Sequence, residues 1–187
     1  MIRYFFPESR LLMMTVLFLS GMFGGTATQL LAQKVEMEER VSADEFPPDA
    51  LREVRVRYPN GRRMKLYRER SNADSLTYEA KLLADGYWYS VEFFPDGSLL
   101  DIEKKIKFSS LPTTVRGRIQ TRWQEDFRKY KVVKCQEQRA DGTIRYEIEV
   151  RGKGAERTAF YQYLFRADGT FVHLEKIALR PSDMTLY

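Results

Sequence analysis

Four Asp-Gly pairs, Asp85-Gly86, Asp96-Gly97, Asp141-Gly142 and Asp168-Gly169, set the strongest constraint on what this chain can fold into. Both residue types tolerate the positive φ that tight hairpin turns need, and each pair stands between runs of alternating apolar and polar residues. The chain is thereby directed to antiparallel hairpins. Strands are predicted over 64–70, 76–83, 87–94 and 99–106, and again over 132–138, 143–150, 159–166 and 170–178. Each set of four follows a proline-led stretch with apolar residues at helical spacing. In the first stretch these are Ala50, Val54 and Tyr58, and in the second Val115, Ile119, Trp123 and Phe127.

The two halves echo one another in order and residue type. Phe46-Pro47-Pro48-Asp49-Ala50 is answered by Leu111-Pro112, Tyr78-Glu79 by Tyr146-Glu147, and Phe93-Phe94-Pro95-Asp96-Gly97 by Phe165-Arg166-Ala167-Asp168-Gly169. The expected fold class is therefore α+β: two tandem repeats, each one helix followed by a four-stranded antiparallel meander, with edges free to join as one larger sheet. The expected divisions are a signal peptide over 1–32, a polar N-terminal segment over 33–45, repeats over 46–108 and 109–178, and a tail over 179–187.

Period-two alternation separates the faces. Leu76, Tyr78, Ala80 and Leu82 match Ile144, Tyr146, Ile148 and Val150 on the side that the helices cover. Tyr89, Val91 and Phe93 match Tyr161, Tyr163 and Phe165 there, and Leu100, Ile102 and Ile106 match Val172, Leu174 and Ala178. The opposite side is expected to be open. It shows large apolar groups among charges, the mixture of anchors and polar rim found at recognition surfaces. Trp88, Phe94, Phe160, Leu164 and Phe171, with His173 beside them, are the candidate protein-binding residues.

The N-terminus reads as an export signal. Arg3 and Arg10 precede the apolar run 11–19, and small residues offer cleavage after Ala27 or after Ala32. The run is too short and too glycine-broken for a comfortable span, so no stable membrane span is expected after cleavage, and a periplasmic or secreted location is. Loss of Arg3, Arg10 and Glu8 would lower the net charge from +5 to +4. That mild surplus, mixed with acids along the chain, is not the concentrated charge of a nucleic-acid reader.

Chemistry-bearing residues are scarce. A lone Cys135 forms no intrachain disulfide and reads as a small buried hydrophobe. One Cys and one His, His173, make no usual zinc set, and neither a nucleophile elbow nor a phosphate-cradling loop is present. No catalytic, metal-binding or cofactor-binding residue is expected. The sequence therefore points to a non-enzymatic binder.

The proline-led helix, the tyrosine-bearing second strand and the aromatic third strand ending in Asp-Gly resemble the PepSY-like family, which is related to the β-lactamase inhibitory protein-like fold. The resemblance runs over about residues 42–178. It implies a tandem helix-plus-sheet fold whose sheet face grips a protein of the cell envelope, as a regulator or inhibitor of an envelope enzyme would. The disulfides of the inhibitory protein have no counterpart here. The alternative is an envelope small-ligand or anionic-surface binder using the basic helix backs, with Arg52, Arg55, Arg62 and Arg63 in the first half and Arg116, Arg118, Arg128, Lys129 and Lys131 in the second.

Overall fold

Strand-forming segments and two short amphipathic helices alternate along a computed structural model that describes residues 36–71, 75–154 and 158–177. The predicted signal peptide, its cleavage positions and the tail lie outside the described residues. The order is β1 (Glu36–Val41), α1 (Pro48–Arg57), β2 (Arg62–Ser71), β3 (Leu76–Ala84), β4 (Tyr87–Phe93) and β5 (Leu99–Lys105), then α2 (Thr113–Asp126), β6 (Lys129–Ala140), β7 (Thr143–Lys153), β8 (Thr158–Arg166) and β9 (Phe171–Ile177). Every strand pairs antiparallel with its sequence neighbours, and the nine form one sheet in the order β1 to β9.

This corrects the expected fold class. The chain is not two helix-plus-four-strand repeats but a single nine-stranded meander with two helices. Ile102–Lys105 of β5 pair with Gln136–Arg139 of β6, so neither half has a free edge at the junction. Unpaired strand edges would leave rows of N–H and C=O groups without partners, and pairing through the junction removes that penalty. The stretch read as a polar N-terminal segment also supplies β1, which pairs with β2 from Glu36↔Ser71 to Val41↔Leu66.

Both helices lie on one side of the sheet. Ala50, Leu51 and Val54 of α1 pack with Ala80, Leu82, Val91, Phe93 and Ile102, while Val115, Ile119 and Trp123 of α2 pack with Tyr146, Ile148, Val150, Tyr163 and Phe165. Pro47 and Pro112 stand just before the helices, where a missing N–H costs little. The second half adds a polar tie: Tyr163 donates to Asp126 Oδ2 at 2.8 Å, and Arg122 Nε pairs with Asp126 at 3.0 Å.

The Asp-Gly turns are of two kinds. In β3–β4 and β6–β7 both residues have positive φ (Asp85 51°, Gly86 81°; Asp141 48°, Gly142 71°), as a two-residue hairpin demands. In β4–β5 and β8–β9 only the glycine does, and the aspartate instead accepts from the backbone two residues on: Ser98 N to Asp96 at 2.9 Å and Thr170 N to Asp168 at 2.9 Å. These longer turns lead into bulges, with Phe93 opposite Leu99 but Glu92 opposite Asp101, and Phe165 opposite Phe171 but Leu164 opposite His173. The extra residue moves side chains to the other face.

Leu99 accordingly packs on the first core while Leu100 lines the opposite face, and Val172 is 42% exposed. Leu100 and Val172 therefore leave the core positions that simple alternation gives them. Ile144 is also exposed.

Two glycines test the packing with opposite signs. A Cβ on Gly152 would lie 2.5 Å from the buried Phe127 ring, whereas one on Gly117 of α2 meets nothing within 4 Å. Gly152→Ala should lower stability by about 1–3 kcal/mol through overpacking. Gly117→Ala should raise it by about 0.5–1 kcal/mol through helix propensity. Urea unfolding of both variants checks the pair. Equal shifts would mean that the Phe127 contact does not constrain β7.

Candidate binding face

Among the described residues no element covers the side of the sheet away from the helices. Regular pairing along β3, β4, β7 and β8 places Trp88, Phe160 and Leu164 there, with Leu83 opposite Trp88, Arg151 opposite Phe160 and Glu147 opposite Leu164. His173 lies on this side too, exposed and opposite Leu164.

Phe171 does not join them, and Phe94 lies just past the end of β4. Phe171 comes to the helix side through the β8–β9 bulge: its ring meets Tyr163 and Phe165 at 6.2 and 6.1 Å, and Arg122 of α2 lies 4.5 Å from its centroid. Phe94 sits in the β4–β5 turn, 43% exposed, bonded through its backbone to Gly97 and Ser98. The remaining anchors are not one patch. Trp88 on β4 and Phe160 on β8 stand four strand spacings apart, roughly 19 Å.

What lies between and beside them is charge, and its burial is the feature that sequence reasoning missed. Glu69, Glu79, Asp101, Gln136 and Glu149 are all buried. The register sets acids directly opposite acids: Glu38 faces Glu69, Glu79 faces Glu92, and Glu92 faces Asp101. Side chains from β4 and β6 stitch the array together, with Ser90 donating to Glu79, Gln136 to Glu103 and to Glu147, and Gln138 to Asp101 at 2.8 Å. Continuing the alternation into β2 and β6 would have found Glu69, Lys134, Gln136 and Gln138.

Two lysines lie within the array. Lys81 Nζ stands 2.9 Å from Glu38 and 3.0 Å from Glu79, and Lys134 Nζ stands 3.5 Å from Glu149. Burial opposes each ammonium charge. Glu79 beside Lys81, and Glu103 with Glu149 beside Lys134, outweigh it and hold both groups above the usual lysine range. The carboxylates respond in kind. Burial and then the neighbouring Glu79, with which it shares a hydrogen bond, push Glu69 up to about 9. Burial and then Asp101 push Glu92 up to about 9, and burial with Glu147 raises Glu103.

Glu38, Glu69 and Glu79 bring ligand atoms within 4.8 Å of one another, close enough to hold a cation. The Lys81 ammonium group already stands against two of the three. Further along the face a cleft of about 280 Å³ opens between β2 and β7. Five carboxylates line it, from Glu69, Glu92, Asp101, Glu103 and Glu147, against one cationic wall residue, Arg70.

Cys135 is buried on the helix side, where burial pushes its thiol up to about 12. His173 is on the opposite face, so these two do not meet.

No protein-family model matches the sequence, and no curated protein matches it either. Solved structures do. A DUF2874 family protein from Bacteroides ovatus superposes with a TM-score of 0.56 at 14% identity, over 74% of this chain and 96% of that one. A DUF2874 family protein from Bacteroides uniformis gives 0.56 at 18% identity, over 70% and 89%. A BLIP-like protein from Bacteroides fragilis gives 0.52 at 17% identity, over 69% and 84%. At these identities the likeness is one of fold, and the fold of this chain is BLIP-like.

Proposed function

We propose that this chain is an exported, non-catalytic protein-binding module of the PepSY-like kind, acting through the helix-free face of its sheet on a protein of the cell envelope. One observation carries the reading. On that face acids stand directly opposite acids on adjacent strands, although like charges in such positions destabilise a sheet. A fold selected for stability alone would pair them with cations, and departures from local rules of this sort concentrate at functional sites. Trp88, Phe160 and Leu164 add apolar contact area around the charge, and His173 lies beside Leu164.

Export rests on the N-terminal segment, and among the described residues no helix is long and apolar enough to cross a membrane. Of the nine cations on which the competing anionic-surface reading rests, Arg52 pairs with Asp49 and Arg118 with Asp168.

Photoreactive phenylalanine analogues at positions 88 and 160 test the face in living cells, with position 124 on α2 as the control. Discrete adducts to one protein from 88 and 160, and none from 124, are expected. Adducts from 124 alone, or from none of the three, would end the proposal.

A further inference from the structure

Lys81 and Lys134 show how this face accommodates its acids. Each ammonium group reaches from one strand to a carboxylate on another: Lys81 of β3 to Glu38 of β1 at 2.9 Å, and Lys134 of β6 to Glu149 of β7 at 3.5 Å. Lys81 also lies 4.7 Å from the centre of the Tyr67 ring, so the face already holds a lysine by charge and by π contact together. The cleft continues the same acidic surface. Glu69, Glu92, Asp101, Glu103 and Glu147 line it, with Arg70 at its margin, and its volume of about 280 Å³ stands at the lower end of ligand pockets, about 300 Å³. That space suits one long side chain better than a large small-molecule ligand. Leu100, turned onto this side by the β4–β5 bulge, offers an apolar wall for methylene groups.

We propose that the cleft receives a lysine or arginine side chain from an extended segment of the protein partner, its cation serving the carboxylates that line the cleft as Lys81 serves Glu38 and Glu79 and Lys134 serves Glu149. The proposal rests on the reading of the helix-free face as a protein-binding surface, and it adds the chemistry of the partner. A cation entering the cleft offsets the crowding that keeps protons on Glu69 and Glu92 and lets those acids ionise, which selects a basic segment. The apolar groups at Trp88, Phe160 and Leu164 select a polypeptide over a free amine, because they lie on the same face but too widely spread for one small ligand to span. A bare divalent cation fits less well, since the trio of carboxylates with converging oxygens lies at Lys81 and is already served.

The test uses the purified protein and a fluorescent peptide of alternating lysine and leucine, with the same peptide acetylated on its lysines as control. The lysine peptide should bind and the acetylated one should not. Glu147→Gln should weaken binding about tenfold or more, the scale of losing one partner of a desolvated charge pair. Thr77→Lys, which places an ammonium group of the chain itself in the cleft wall, should abolish binding. Glu125→Gln on the exposed back of α2 should leave it within about twofold, as expected of a rim charge. Circular dichroism establishes that each variant is folded.

Equal binding by Thr77→Lys and the unaltered protein would overturn the proposal. So would displacement of the peptide by calcium at stoichiometric concentration, which would make the cleft a cation site. Self-association abolished by Thr77→Lys would make the occupant a second copy and overturn it equally. If crosslinks form at 88 and 160 while the peptide fails to bind, only this inference falls. If both fail, the open-face reading falls with it.

Discussion

Replacing Lys134 by Met should cost about 3–5 kcal/mol of stability near pH 8 and clearly less near pH 5. Lys134 is half-buried in β6 beside Glu149, with Glu103 and Glu147 also acting on its charge. Methionine fills nearly the same volume and keeps the apolar stem, so packing changes little. What disappears is a cation serving three acids, and removing one partner of a buried charge set leaves the other uncompensated. Acid conditions supply relief, because carboxyl groups deprived of their cation take up protons more readily as pH falls. Lys134 itself, with its folded pKa raised, contributes stability that is fully present below the ordinary lysine range and is lost only as pH rises through the higher folded value. The pH-dependent difference therefore belongs to the acids. Urea unfolding at both pH values reads it. An equal loss at both would assign the effect to packing of the stem, and no loss near pH 8 would show that the lysine does not support the array.

Most of the strand plan was legible because the turns are chemically explicit. Asp85-Gly86 and Asp141-Gly142 need positive φ at both residues, and alternation around them fixes which side chains face the helices. Val91, Phe93, Ile148, Val150, Tyr163 and Phe165 fall in the core as that alternation requires. The other two pairs look identical in sequence but make longer turns, in which Asp96 and Asp168 cap the backbone and a bulge follows. A dipeptide does not report the bulge, and this is why Phe171 and Leu100 exchange faces.

The division into two repeats failed for a different reason. Helix and strand signals are local, whereas pairing of β5 with β6 is a contact between segments separated by α2. The acidic face was half visible. Alternation names Glu79, Glu92, Asp101, Glu103, Glu147 and Glu149 as outward residues, which ordinarily means solvated ones. Their burial arises because six strands lie side by side and long side chains from each neighbour lean over the next. Only the register, which sets Glu79 against Glu92 and Glu92 against Asp101, reveals the concentration of like charge.

That concentration should make the protein most stable in mild acid, with the unfolding temperature falling by about 10 °C between about pH 5 and pH 8.5. Glu69 and Glu92 are both pushed up to about 9 from an ordinary value of 4.5. Below the ordinary value folded and unfolded states both hold the protons, and these groups contribute nothing. Between there and about 9 the unfolded chain has released its protons while the folded chain retains them, so stability declines as pH rises. Relaxation and water entry moderate the cost, leaving on the order of 3 kcal/mol for the two groups by about pH 8.5. Carboxylates held low, such as Asp96 and Asp168 through their bonds to Ser98 and Thr170, act in the opposite sense and only below about pH 4. The maximum therefore falls near pH 5. Glu92→Gln isolates the cause: the amide keeps the size of the side chain and removes its titration, so the variant should match the unaltered protein near pH 5 and exceed it by about 1–2 kcal/mol near pH 8.5. A flat profile, or a Gln variant no more stable than the unaltered protein in mild base, would mean that Glu92 is ionised and accommodated within the face. The like-charge pairs would then impose no cost for a partner's cation to relieve.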